Sequence, residues 1–114
     1  MKIVTIDVRT LADSLADAAE AMEALAPAGP RISFASPELL WNVMTAERWG
    51  ILRAMAGAGG LTLREVARRA GRDVEAVQGD VHVLLDAGLL DKTADGNLVF
   101  PYDAVHVDFL MRAA

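Results

Sequence analysis

Residues Thr62 to Leu90, TLREVARRAGRDVEAVQGDVHVLLDAGLL, admit few folds. Start signals, stop signals and apolar spacing in this stretch all agree on two short helices joined by a tight turn. Thr62 followed three residues later by Glu65 is a capping box, in which the hydroxyl and the carboxylate each satisfy a backbone N–H left over by the first turn. The first helix therefore begins at Leu63. Ala67 is small enough for close helix approach, Gly71 tolerates left-handed turn backbone, and Asp73 is placed to cap a second helix. In that second helix Val74, Val77, Val81, Leu84 and Leu85 fall on one stripe at 3.6-residue periodicity, and Gly88 supplies the stop. The pattern is that of a helix-turn-helix.

At 114 residues the chain is one domain's worth, and 54% hydrophobic residues with only 5% aromatics predict a core packed mainly by Ala and Leu. Cysteine is absent, which excludes disulfides, thiolate zinc sites and a cysteine nucleophile, and makes the cytoplasm the expected compartment. No apolar run reaches membrane-spanning length, and MKIVTIDVRT turns polar too soon for a signal peptide. The formal charge of −5 argues against indiscriminate nucleic-acid binding, so any DNA contact must come from local clustering of lysine and arginine.

From the start of the chain, Val4, Ile6 and Val8 alternate with Thr5 and Asp7, the period of a half-buried strand. Thr10 and Asp13 form a further capping box, opening a helix that Ala-Pro-Ala-Gly-Pro at 26–30 must end. Its seam of Leu11, Leu15, Ala18, Met22 and Leu25 either packs on the body of the domain or pairs with a second copy. Ile32 and Phe34 predict a second strand beside the first. Ser36 and Pro37 open a helix with Leu39, Leu40 and Val43 on its apolar side. Thr45 caps another from Ala46, with Trp49, Leu52, Met55 and Ala56 facing inward and Gly57, Gly59 and Gly60 ending it. That helix is the natural first member of a three-helix DNA-binding core. Leu89–Thr93 and Asn97–Phe100 flank Ala94-Asp95-Gly96, a hairpin signal, and a hairpin directly after a recognition helix is a wing. Val105, Val107 and Phe109 alternating with His106 and Asp108 predict a last strand at about 104–110, paired with the first.

The expected fold is thus α+β: a winged helix-turn-helix at 36–101, preceded by a strand-helix-strand element at 1–35 and followed by a C-terminal strand within 102–114. The two flanking parts are expected to serve core packing or dimerisation through Leu11, Leu15, Met22 and Leu25 and through Val105, Val107 and Phe109.

Residues 36–114 carry a resemblance, above all in SPELLWNVMTAERWGILRAM, LTLREVARRAGRDVEAV and FPYDAVHVDFLMRAA. They resemble a family of small prokaryotic transcriptional regulators with a winged helix-turn-helix and a MarR/ArsR-like core, some members of which are described as antitoxins encoded beside a toxin gene. The resemblance implies regulation through double-stranded DNA, as a homodimer, with neutralisation of a toxin protein as a further role. Members of that family tend to carry basic or hydrogen-bonding residues just before the Asp corresponding to Asp80, whereas this chain has Gln78 and Gly79 there.

With the buried stripe on Val77, Val81 and Leu84, the outer face of the second helix holds Glu75, Ala76, Gly79, His82, Val83 and Asp86, with Gln78 on the flank. Base edges are usually read by Arg, Lys, Asn or Gln, so Gln78 is a candidate for an adenine edge, or else merely solvated, and His82 a candidate to face DNA. Arg64, Arg68, Arg69 and Arg72, with Lys92 in the wing, are the candidate phosphate contacts; a solvated helix face is their plainer reading. These five cations face seven carboxylates between residues 62 and 99, a net of −2. Asn97 serves the turn first and a wing-tip DNA contact second. His106 has no cysteine or second histidine near it in sequence to complete a metal set, and no catalytic residue, metal or cofactor is expected. Two functions follow: a DNA-binding transcriptional regulator, or an antitoxin-like interaction module whose acidic surface covers a basic partner with little direct DNA reading. An enzyme is disfavoured because paired-carboxylate and glycine-rich phosphate motifs are missing.

Overall fold

The computed structural model describes residues 1–9 and 29–109. In chain order its elements are β1 (Ile3–Val8), β2 (Arg31–Phe34), α1 (Pro37–Val43), α2 (Ala46–Met55), α3 (Leu63–Ala70), α4 (Val74–Ala87), β3 (Asp91–Lys92), β4 (Leu98–Val99) and β5 (Ala104–Asp108). The chain is α+β. The Leu11, Leu15, Met22 and Leu25 seam lies outside the described residues.

Alternation in β1 turns Val4 and Ile6 into the core, both fully buried. The strand is the centre of a three-stranded sheet, order β2-β1-β5, and both neighbours run parallel to it. Val4 stands beside Val105 and Ile6 beside both Ile32 and Val107, so the apolar sets of all three strands share the face that meets the helices. There Leu40, Ile51, Met55, Val66, Val77 and Leu84 complete one continuous core. At about 25 cal/mol per Å² this apolar burial is the main force holding helices to sheet.

Each described helix starts on the cap residue read from sequence, and three of the four caps make the side-chain bond. The Ser36 hydroxyl accepts from the Leu39 N–H, Thr45 from Arg48 and Thr62 from Glu65, whereas Asp73 has cap backbone geometry but no side-chain cap bond. Three inward expectations and one outward expectation are corrected. Ala56 is exposed because α2 stops at Met55, and Ile51 takes the buried position; Leu39 and Val74, at 47% and 38% exposure, lie in helix first turns that project past the core. Val83, expected on the outer face of α4, is half-buried.

Gly71 closes α3 at φ 69°, its N–H donating to Ala67 O and Arg68 O. An added Cβ would meet no atom within 4 Å there, so a side chain at this position is opposed by backbone conformation alone. Gly71→Ala is expected to cost about 1 kcal/mol, read as a lower urea midpoint at unchanged slope.

The hairpin strands are shorter than their apolar segments. Leu89 and Leu90 donate their N–H groups back to Leu84 O, which holds them in the core at the end of α4 and delays β3 to Asp91. The hairpin is anchored on its far side: Leu61 and Leu98 exchange two backbone bonds, at 2.8 and 2.7 Å. At its tip Gly96 takes φ 84° and donates to Thr93 O, as the Asp-Gly signal requires.

Candidate functional site

The capping box of α3 is complete. Thr62 N–H donates to Glu65 Oε1 at 3.1 Å, and Glu65 N–H to the Thr62 hydroxyl at 3.2 Å. The Thr62 backbone bond, aided by its hydroxyl and the nearby charges of Arg68 and Arg69, holds the Glu65 carboxyl below its ordinary range. With its start fixed, α3 presents Arg64, Arg68 and Arg69 to solvent; Arg69 also reaches Ala54 O at 3.4 Å.

On α4, Glu75, Ala76, Gln78, Gly79, His82 and Asp86 are exposed. A cleft of about 190 Å³ separates this helix from the β3–β4 hairpin, lined by Leu63, Gln78, His82, Lys92 and Gly96 among others. Three of the candidate contact residues, Gln78, His82 and Lys92, are therefore brought together. A shallow depression of about 550 Å³ over the α3–α4 turn gathers Arg68, Arg72, Gly71, Asp73 and Ala76. Arg64 and Arg69 line neither hollow. Asn97 is half-buried and serves the turn, its N–H donating to the Thr93 hydroxyl at 3.1 Å.

Arg72 is held inward. It donates to Asp80 Oδ2 at 2.8 Å, while Arg48 Nε donates to Asp80 Oδ1 at 3.0 Å. Arg48 reaches further, giving bonds to Asn42 O and Val43 O at the end of α1. The cluster thus ties α1, α2, the α3–α4 turn and the middle of α4 through side chains that are mostly withdrawn from water. Asp80, one of the seven carboxylates weighed against the cations, is compensated twice over.

A second ion cluster lies in the sheet. Asp7, expected on the polar face of β1, is 4% exposed. It accepts from Arg9 Nε at 2.8 Å, from Arg31 at 2.5 Å and from the Ser33 hydroxyl at 2.6 Å. Burial alone would raise its pKa, but the Ser33 and Arg9 bonds, the charge of Arg9 and the Arg31 bond outweigh it and hold the carboxyl below its ordinary value. Strand register makes this possible, since Asp7 is the partner of Ser33 and Thr5 of Arg31, all on the face away from the helices.

Of the residues assigned to dimerisation, Val105 is half-buried, Val107 is 38% exposed, and Phe109 packs edge-on against Trp41 with ring centroids 6.0 Å apart. His106 is exposed beside them. Among the described residues no group of three or more His, Cys, Asp or Glu could hold a metal ion, and no helix is long and apolar enough to cross a membrane.

A family model described as HVO_A0114 matches residues 43–107, more than half of the chain. The chain belongs to the HVO_A0114 family. The HVO_A0114 match runs from the last residue of α1 into β5, so it takes in the Arg48–Asp80–Arg72 cluster, the exposed arginines of α3 and the whole cleft, and leaves the Asp7 cluster outside. No curated protein and no solved structure matches the chain.

Neither ion cluster was assigned from sequence. Arg48 and Asp80 are 32 residues apart with no local pattern linking them, whereas Asp7, Arg31 and Ser33 become a set once β1 and β2 are paired and sorted by face.

Proposed function

We propose that residues 36–101 form a winged helix-turn-helix that binds double-stranded DNA, and that the chain acts in the cytoplasm as a dimeric transcriptional regulator. The observation that carries this reading is the shared cleft of Gln78, His82 and Lys92 between α4 and the hairpin. In the proposal α4 enters the major groove, Gln78 offers its amide to an adenine edge with His82 beside it, and Lys92 meets the flanking backbone from the wing. Arg64, Arg68 and Arg69 supply phosphate contacts from α3. The double compensation of Asp80 favours this use, because it removes the carboxylate nearest the middle of α4 from the repulsion that phosphates would meet.

A fragment from the region upstream of the chain's own gene is the probe, followed by fluorescence anisotropy across a salt series. Binding at low salt is expected. Arg64→Ala with Arg68→Ala is expected to weaken it by roughly tenfold, and to reduce the slope of log affinity against log salt by about 2. No binding at low salt, or an unaltered affinity and slope in the double variant, rejects the proposal.

A further inference from the structure

We propose that a second copy of this chain docks on the outer edge of β5, antiparallel and centred on Val107, so that two three-stranded sheets become one of six strands. The two edges of the sheet are built differently. β2 is four residues long, follows Pro30 and begins with Arg31, features that discourage strand addition. β5 reads Ala-Val-His-Val-Asp, with no proline, lysine, arginine or glycine, and no strand among the described residues covers its outer side.

The backbone there is set to pair. Thr5 and Arg9 donate their N–H groups to Pro30 O and Phe34 O, so odd-numbered residues of β1 turn toward β2 and Val4 and Ile6 turn toward β5. Given the register of Val4 with Val105 and Ile6 with Val107, the groups completing that ladder belong to Ala104, His106 and Asp108. The N–H and C=O groups of Val105 and Val107 are left facing outward.

Side-chain complementarity then selects the register, since an imidazole N–H can donate to a carboxylate. An axis through His106 would set that residue against its own copy and Asp108 against Ala104. An axis through Val107 sets His106 opposite the second copy's Asp108, twice, at the non-hydrogen-bonded positions where side chains approach most closely. On the helix-facing side the same axis matches Val107 with itself and Val105 with Phe109, extending the pairing one residue past the strand. The exposure of His106, Val107 and Asp108 is what an edge awaiting a partner would show.

The proposal rests on the reading of the chain as a dimer and is independent of DNA binding. Sedimentation equilibrium without DNA tests it. The unaltered chain is expected to dimerise; His106→Asp sets like charges opposite each other and should raise the dissociation constant about tenfold, and adding Asp108→Lys to that variant should restore it to within about twofold. A concentration-independent monomer overturns both the interface and the dimer. A dimer whose dissociation constant is the same with and without His106→Asp overturns the interface and leaves the dimer standing. Because the chain has no cysteine, Val107→Cys gives a second readout: a short bifunctional thiol reagent should link it to its own copy, and failure to link in the dimer overturns the register.

Discussion

Asp80→Ala is expected to destabilise the fold by about 2–3 kcal/mol, because it strands two guanidinium groups already withdrawn from water. Arg48 and Arg72 each lose a charge-assisted bond, of 3.0 and 2.8 Å. Arg48 retains Asn42 O and Val43 O, so the α1–α2 junction survives while α4 loses its central tie. Chemical denaturation should show the midpoint falling at unchanged slope. A loss within about 0.5 kcal/mol, typical of a surface substitution, would mean that the cluster holds nothing in place. The same change removes a negative charge from α4 and frees two cations beside the proposed DNA face. Affinity for DNA at low salt is therefore expected to rise while stability falls, and a parallel fall in both would separate a positioning role for Asp80 from an electrostatic one.

Asp7→Asn is expected to cost about 2 kcal/mol at neutral pH. Three donors lose their anionic acceptor, but Arg9 and Arg31 reach water in part, which limits the penalty. The direction of the pKa shift also fixes a pH dependence. The folded-state pKa of Asp7 lies below that of the unfolded chain, so its contribution is fully present above the unfolded value of about 3.8. It is lost as pH falls through the lower folded value. Stability curves for the native chain and the variant should be parallel from about pH 5 to 7 and converge in the acid range, below about pH 4. Parallel curves throughout would place the ionisation of Asp7 outside the stability of the sheet.

What could be read in the sequence was governed by short-range rules. Thr62, Thr45 and Ser36 act on N–H groups three residues away, so those helix starts are local facts; the Asp95-Gly96 turn is equally local. Alternation located β1 and β5, and the expected pairing of the two is present, in parallel orientation. Burial was less legible wherever an element ends, since no periodicity says that α2 stops before Ala56 or that Leu39 overhangs the core. Charge was the least legible. Counting carboxylates along 62–99 gives Asp80 the weight of a free anion, and only the fold brings Arg48 and Arg72 to it. In the candidate site, the cleft joining Gln78 and His82 to Lys92 depends on how the hairpin folds back over α4, a geometry fixed by the pairing of Leu61 with Leu98.

The pairing of β1 with β5 sets the order in which the molecule can assemble. Lys2 and Asp103 are bonded across a separation of 101 residues, and a contact so distant carries a large loop-closure entropy unless the chain between has already been drawn together. The helices and hairpin, whose contacts are far more local, are able to condense first, and the last strand then slides in beside the first to finish the sheet. During synthesis that flank of β1 stays open until β5 has emerged, so its apolar face depends on the nascent helical body for cover.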